Sequence, residues 1–317
     1  MAANPAELGR RLRSGDRSAA PPALNVIENR ADREAAAALL AEVSPAELGD
    51  EAPAHLVGVT GPPGAGKSTL LSALVSEWRE RGRTVAVLAV DPSSKRSGGS
   101  LLGDRARIDH DPRDDGILIR STAAGGRPGG LAIPTREAAD ALAAAFDVVV
   151  VETVGVGQSE TDVEEVCDTV AVVVQPASGD VLQFLKAGIM EVPDVLVVTK
   201  ADLGDAARRA QRDLEQALAA LGSSEVPVVP VVAVSSLSPP SGITELADAL
   251  DAHRERIDVA ERRLRARRAS ALREFTAEHG EGALRALGGR REAERLLATE
   301  DPSADVSTLV ETLKART

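Results

Sequence analysis

The residues best suited to chemistry lie in the stretch GPPGAGKST, residues 61–69, where Gly61, Gly66, Lys67 and Ser68 satisfy the spacing G-x-x-x-x-G-K-[ST]. That spacing serves one physical task. Backbone N–H groups of Gly61, Gly64, Ala65, Gly66, Lys67, Ser68 and Thr69 are placed to converge on a polyphosphate at a helix start, where the helix dipole favours negative charge. Glycine lets the backbone approach without a Cβ in the way. Lys67 brings a cation to the β- and γ-phosphates, and the Ser68 hydroxyl is a ligand for Mg2+. A glycine-rich surface turn would need neither a strand before it nor a helix after it. Here HLVGVT precedes the stretch, and Leu70, Leu71, Leu74, Val75 and Trp78 follow at helical spacing. The expectation is a site for a nucleoside triphosphate.

Further oxygen donors follow later apolar runs. Glu152 comes after four valines and opens ETVGVGQSE. An acid at a strand tip near such a loop holds Mg2+, and glutamate, one methylene longer than the more usual aspartate, favours contact through water. Gly155 can offer its N–H to the γ-phosphate. Asp91 ends another apolar run and is either a third metal partner or the start of an Asp-Pro turn. TKAD, residues 199–202, follows DVLVV. Asp202 can accept from N1–H and the 2-amino group of guanine, whereas adenine would leave a buried carboxylate unpaired. Lys200 is expected to lay its stem over the base, Thr199 stands where asparagine is usual, and Ser235 and Ser236 can present an N–H to guanine O6. Besides Lys67, the candidates for handling the attacking water or the transition-state charge are Asp104, Gln158 and Lys186. Lys95 and Arg96 belong either to phosphate binding or to a solvated loop, and the GGRPGG stretch (125–130) is expected to face a partner.

These residues need a frame that sets them along one edge. From residue 55 onward the sequence alternates strand and helix patterns, with strands expected over 55–60, 84–90, 116–121, 147–151, 168–174, 194–198 and 226–234. Helices are expected over 70–81, 135–146 and 203–221, and again beyond Gly242. This alternation predicts an α/β P-loop NTPase with a mainly parallel central sheet flanked by helices, whose functional loops leave the carboxyl ends of the strands. The predicted segments are an N-terminal helical part (1–53) that Pro21-Pro22 breaks into pieces, a nucleotide domain (54–251) and a C-terminal helical extension (252–317). In the extension Ile257, Leu264 and Ala271 recur at heptad spacing, with Leu272 and Phe275 adjoining, a stripe that must bury against something. A homodimer is the expectation, with docking on the chain's own sheet as the alternative.

Composition narrows the class. Hydrophobic residues make up 43% of the chain but aromatics only 1%, so the core must be aliphatic. The formal net charge of −12 argues against nucleic acid and anionic lipid as partners. The single Cys167 and four dispersed histidines (His55, His110, His253, His279) give neither a disulfide framework nor a metal-ligand cluster, so the histidines read as structural or exposed. No apolar run is long enough to span a membrane and no signal-peptide core opens the chain, so a cytoplasmic, reducing location is expected.

The segments VDPSSKRSGGSLLGDRARI, STAAGGRPGG, FDVVVVETVGVGQSETDV, QPASGDVLQFLKAGIME and VTKADL resemble the MeaB/ArgK family of G proteins over about residues 24–250. The family comprises GTPase chaperones of adenosylcobalamin-dependent methylmalonyl-CoA mutase and includes the human methylmalonic aciduria type A protein. The resemblance implies a homodimeric GTPase of slow intrinsic rate that binds GTP, GDP and Mg2+. On that resemblance it is expected to gate cofactor loading and protection of methylmalonyl-CoA mutase or a related acyl-CoA mutase. By position, it implies phosphate and metal roles for Lys67, Ser68, Asp91 and Glu152, a guanine role for Asp202, and switching roles for Asp104 and residues 179–186. Two other functions fit the same fold class. A nickel metallochaperone GTPase needs a His- or Cys-rich metal site; a P-loop kinase linked to amino-acid transport would want an arginine-rich lid and no guanine-reading aspartate.

Overall fold

A computed structural model of the chain describes residues 4–29, 31–91, 108–123, 131, 133–153, 163–176, 193–221 and 229–317. Asp104, Gly155, Gln158, Lys186, Lys95, Arg96 and the GGRPGG stretch lie outside them. Seven strands form one parallel sheet: β1 (His55–Thr60), β2 (Val85–Asp91), β3 (Ile117–Ala123), β4 (Val148–Glu152), β5 (Thr169–Val174), β6 (Val195–Val198) and β7 (Val231–Ala233), in the order β3-β2-β4-β1-β5-β6-β7. The order reverses direction around β1, so the loop after β1 leaves the sheet at a topological switch point. The helices, numbered in chain order, are α1 (Pro5–Arg13), α2 (Ala20–Glu28), α3 (Arg33–Ala41), α4 (Pro45–Leu48), α5 (Lys67–Glu80), α6 (Ile133–Ala143), α7 (Asp205–Leu221), α8 (Ile243–Arg256), α9 (Val259–Ala286), α10 (Arg290–Ala298) and α11 (Val306–Lys314).

The chain divides into two compact units: residues 55–135 with 146–257, and residues 1–54 with 136–145 and 258–317. In the first, alternate strand residues (Val57, Val59, Val85, Val87, Val148, Val150, Ala171, Val173, Val195, Val197) share one face of the sheet. They pack against Leu70, Leu71, Leu74 and Trp78 of α5 and Leu246 and Leu250 of α8. β-Branched valines suit a strand buried on both faces, and among the described residues Trp78 is the one large aromatic in this layer. On the opposite face β1 carries Gly58, where an added Cβ would lie 2.1 Å from Val163 Cγ1. That approach lets the turn 163–166 and Cys167 close onto the strand.

The amino ends of the strands are tied by a buried polar chain that sequence reasoning missed. His55 Nε2 lies 2.8 Å from Thr169 Oγ1, and the same hydroxyl lies 2.9 Å from His253 Nδ1. His253 Nε2 is 3.0 Å from Asp194 Oδ1, and Asp251 faces His55 Nδ1 at 3.6 Å while accepting from Arg83 at 2.7 Å. Three strand starts and α8 are thereby held in register. Burial pushes the His55 imidazole below its ordinary pKa, against the opposing pull of Asp251 and Asp168 and with that of Arg254. Burial would raise the Asp251 carboxyl, but the facing His55 imidazole and the Arg83 bond hold it well below the usual carboxylate range.

In the second unit Pro21 and Pro22 do not interrupt a helix but lie in the first turn of α2. There the missing N–H has no intrahelical partner to lose, and the fixed φ suits the helix. α9 bends at Gly280, whose φ is 78°. Its Ala271, Leu272 and Phe275 are buried with Leu297 of α10 and Leu309 and Leu313 of α11. Part of the stripe expected to meet another copy is therefore covered within the chain, by the helices that follow the bend. Ile257 and Leu264 stay half-buried. Burial, followed by the charge of Glu137, raises the Glu274 carboxyl to about 7 against Arg33 and Arg136.

These two groups tilt stability in opposite directions. Native His55 holds its proton less tightly than the unfolded chain, so its contribution is complete above the unfolded histidine pKa of about 6.5 and is lost as pH falls below it. Native Glu274 holds its proton more tightly, so its contribution falls as pH rises from about 4.5 toward 7. The expected outcome is that His55→Gln loses less stability than the native chain between pH 7 and pH 5.5, measured by urea unfolding. Equal losses in both would show that His55 takes up its proton as readily in the native state as in the unfolded chain.

Candidate functional site

The site is assembled where β1, β4, β5 and β6 end. β1 runs into residues 61–66, which arch to the start of α5. The arch depends on three backbone conformations that a side chain resists: Gly61, Gly64 and Gly66 have φ of 146°, 78° and 89°. At Gly61 an added Cβ would also lie 2.2 Å from the Val173 carbonyl oxygen. Ala65 N donates to Pro62 O at 3.2 Å, which closes the turn. The N–H groups of Lys67, Ser68 and Thr69 fall in the first turn of α5, where no helical carbonyl precedes them.

Lys67 folds back into this arch. Its ammonium donates to Gly61 O at 2.7 Å and to Pro62 O at 3.1 Å, and the residue is 7% exposed. Burial lowers its pKa, while the carboxylate of Glu152 pulls the other way. The next residue, Ser68, donates through Oγ to Glu152 Oε1 at 3.1 Å. Register explains the meeting: Val59 pairs with Glu152 across β1 and β4, and Ala89 pairs with Glu152 across β2 and β4. Asp91 closes β2, two residues beyond Ala89. A hydroxyl and a carboxylate in mutual contact beside a phosphate-type loop are an oxygen donor set of the kind Mg2+ prefers.

Further along the same edge, β5 and β6 supply a second loop. Lys200 adopts the left-handed conformation, φ 56° and ψ 43°. Its ammonium donates to Gln175 Oε1 at 2.6 Å and lies 3.4 Å from Gly64 O. Thr199 Oγ1 donates toward Ala65 O at 2.7 Å and Val174 O at 3.1 Å. Asp202 Oδ1 accepts from Ser235 Oγ at 3.0 Å, and Ala201 N donates to Val234 O at 2.9 Å. Ser235 is fixed in turn by paired backbone bonds with Ser241, both 2.9 Å. Ser236 follows it, half-buried. Asp202 is exposed rather than buried as the sequence argument assumed. The enclosure that would penalise adenine must come from the bound base and the chain around it.

Residues 61–69, Glu152, Thr199, Lys200, Asp202, Ser235 and Ser236 thus fall along one edge, within reach of one elongated ligand. Among the described residues the buried hydroxyls of Thr60, Thr153, Ser121 and Thr122 have no hydrogen-bond partner. Thr60, Thr153 and Thr122 stand at or just past the carboxyl ends of β1, β4 and β3, with Ser121 one residue before Thr122. That is polar capacity at the edge where a ligand and its waters would sit.

The chain is similar to known proteins over most of its length. The family described as methylmalonyl Co-A mutase-associated GTPase MeaB matches residues 21–288. A protein of Mycobacterium tuberculosis named "Probable GTPase" is 43% identical over 250 residues, covering 77% of this chain and 73% of that one. The mitochondrial methylmalonic aciduria type A homolog of Caenorhabditis elegans is 40% identical over 228 residues, covering 69% of this chain and 57% of its own length. Among solved structures, a LAO/AO transport system kinase superposes with a TM-score of 0.65 at 28% identity, covering 98% of this chain and 97% of that one. HypB from Helicobacter pylori in complex with nickel gives a TM-score of 0.50 at 19% identity over 68% of this chain and 93% of that one, which shows a common fold alone.

The arch itself is testable. Gly61→Ala forces a Cβ against the β5 backbone at a positive φ, a conflict costing about 1–3 kcal/mol. The variant should unfold several degrees lower in calorimetry. Gly64→Ala also places a Cβ at a positive φ, 78°, but in open space, and should lose less. Equal losses would mean that the contact with Val173 does not shape the loop.

Proposed function

This chain belongs to the family of methylmalonyl-CoA mutase-associated GTPases, MeaB, and we propose that it binds GTP and GDP with Mg2+, hydrolyses GTP slowly, and gates adenosylcobalamin loading and protection of a cobalamin-dependent acyl-CoA mutase. The observation that carries the nucleotide reading is Asp202, held by Ser235 at the edge of the sheet beside the phosphate loop. A carboxylate there accepts from the donor edge of guanine and finds no donor pair on adenine. The Lys67 ammonium, now satisfied by two carbonyls, would turn to the β- and γ-phosphates. Ser68 and Glu152 would exchange their mutual bond for the metal and its water, with Asp91 as a third oxygen partner. Bound Mg2+ supplies charge neutralisation of the polyphosphate. Asp104, Gln158 and Lys186 remain the proposed groups for water activation and transition-state charge, and Gly155 the γ-phosphate reporter.

The proposal for the partner rests on family membership. Asp91, Glu152 and Val174 end β2, β4 and β5 on the phosphate side, and loss of the γ-phosphate is proposed to alter segments 91–104, 152–160 and 179–186 together. The unit acting on the mutase is proposed to be a homodimer formed through the C-terminal extension (252–317), working in the cytoplasm. No described helix is long and apolar enough to cross a membrane.

Calorimetry in Mg2+ should give GTP and GDP far tighter binding than ATP, and Asp202→Asn should shift preference toward xanthosine triphosphate, whose 2-oxo group accepts from an amide. Equal affinity of the native chain for ATP and GTP would overturn the guanine reading. Glu152→Ala should raise the Mg2+ concentration needed for phosphate release while sparing GDP binding; an unchanged metal dependence would make Glu152 a strand terminus only. Sedimentation should give twice the chain mass of 32.9 kDa. A monomer would remove the dimer from the proposal.

A further inference from the structure

Thr199 occupies the position where a guanine-reading loop usually has asparagine, and the difference is a matter of counting protons. A primary amide carries two N–H donors, whereas a threonine hydroxyl carries one. Thr199 is 4% exposed, and its hydroxyl faces two backbone carbonyls, Ala65 O at 2.7 Å and Val174 O at 3.1 Å. Ala65 belongs to the phosphate loop and Val174 ends β5, so the single proton is committed to the frame. The neighbouring Lys200 reinforces the same junction through Gln175 Oε1 at 2.6 Å and Gly64 O at 3.4 Å.

Resting on the guanine reading above, we infer that Thr199 is a positioning residue that ties the base loop to the phosphate loop and leaves purine N7 without a donor from this position. The chemistry of the ligand supplies the orientation. Asp202 takes the pyrimidine edge of guanine, N1–H and the 2-amino group. The imidazole ring carries, through N9, the ribose and phosphates, so it lies on the side of the phosphate loop, where Thr199 is bonded. N7 on that ring is an acceptor, and Thr199 has no second proton to give it. Specificity then resides in Asp202 and Ser235 at one end of the base, while Thr199 sets the distance between that end and the phosphates.

Two consequences separate this role from simple packing. The native chain should bind 7-deaza-GTP, which has C–H in place of N7, as tightly as GTP to within about twofold. Thr199→Val preserves shape and removes the tie. It should weaken GTP and GDP by about 3- to 10-fold, the range of one lost hydrogen bond, and Thr199→Ser should restore native affinity. Thr199→Asn regains a spare donor and should favour GTP over 7-deaza-GTP.

The experiment is calorimetric titration of the native chain and the three variants with GTP, 7-deaza-GTP, GDP and ATP in Mg2+. A native chain that prefers GTP over ATP yet binds 7-deaza-GTP tenfold more weakly than GTP overturns the inference and leaves the guanine reading standing. Native affinity in a folded Thr199→Val overturns the tie. If GTP shows no preference over ATP, the guanine reading itself has failed. The 7-deaza comparison needs no variant and so survives any folding defect in one.

Discussion

A buried ammonium is the constraint on which the rest of the site depends. Lys67 is withdrawn from water among groups that can only partly replace it, two carbonyl oxygens of its own loop and the field of Glu152. Burying a cation is costly unless it is paired, and the depressed pKa reports that cost. An anion entering the arch relieves it. The left-handed glycines, the buried strand beneath and the helix start behind all hold the amine where only a ligand with concentrated negative charge completes its environment.

The sheet makes that arrangement rigid with very little aromatic material. Valine and alanine fill both faces of strands that pair in parallel, and Gly58 and Gly61 mark the two places where another segment approaches β1 too closely for a side chain. The buried chain of His55, Thr169, His253 and Asp194 ties the amino ends of β1, β5 and β6 to the last turn of α8, at the far end of the strands from the arch. Thr199 does the comparable work at the carboxyl ends, where one hydroxyl joins β5, β6 and the phosphate loop. Precision at the site comes from both ends of the same strands.

Much of this was legible in the sequence because it is periodic or local. The strands at β1, β2, β4, β5 and β6 fall within a residue or two of their expected bounds, since valine-rich runs that stop at a polar residue leave little choice. The phosphate loop is a contiguous motif whose spacing dictates its shape. What escaped reading depends on distant pairs. His55 and His253 look scattered until the sheet brings both to Thr169. Pro21 and Pro22 look like breakers until a helix starts at Ala20. The heptad stripe looked open because the covering residues, Leu297, Leu309 and Leu313, arrive only after the chain bends at Gly280. Asp202 looked buried because its proposed chemistry wants burial, but in the chain alone it is exposed.

Nucleotide state is proposed to control engagement of a cobalamin-dependent mutase, and linkage makes that control measurable from either side. The direct test is calorimetric titration of adenosylcobalamin-dependent methylmalonyl-CoA mutase into this chain loaded with GDP or with a non-hydrolysable GTP analogue. Affinities should differ by about 5-fold or more between the two states, and the mutase should change the relative affinities of analogue and GDP by the same factor. Identical mutase affinity in both nucleotide states would contradict the account, however well the chain binds GTP.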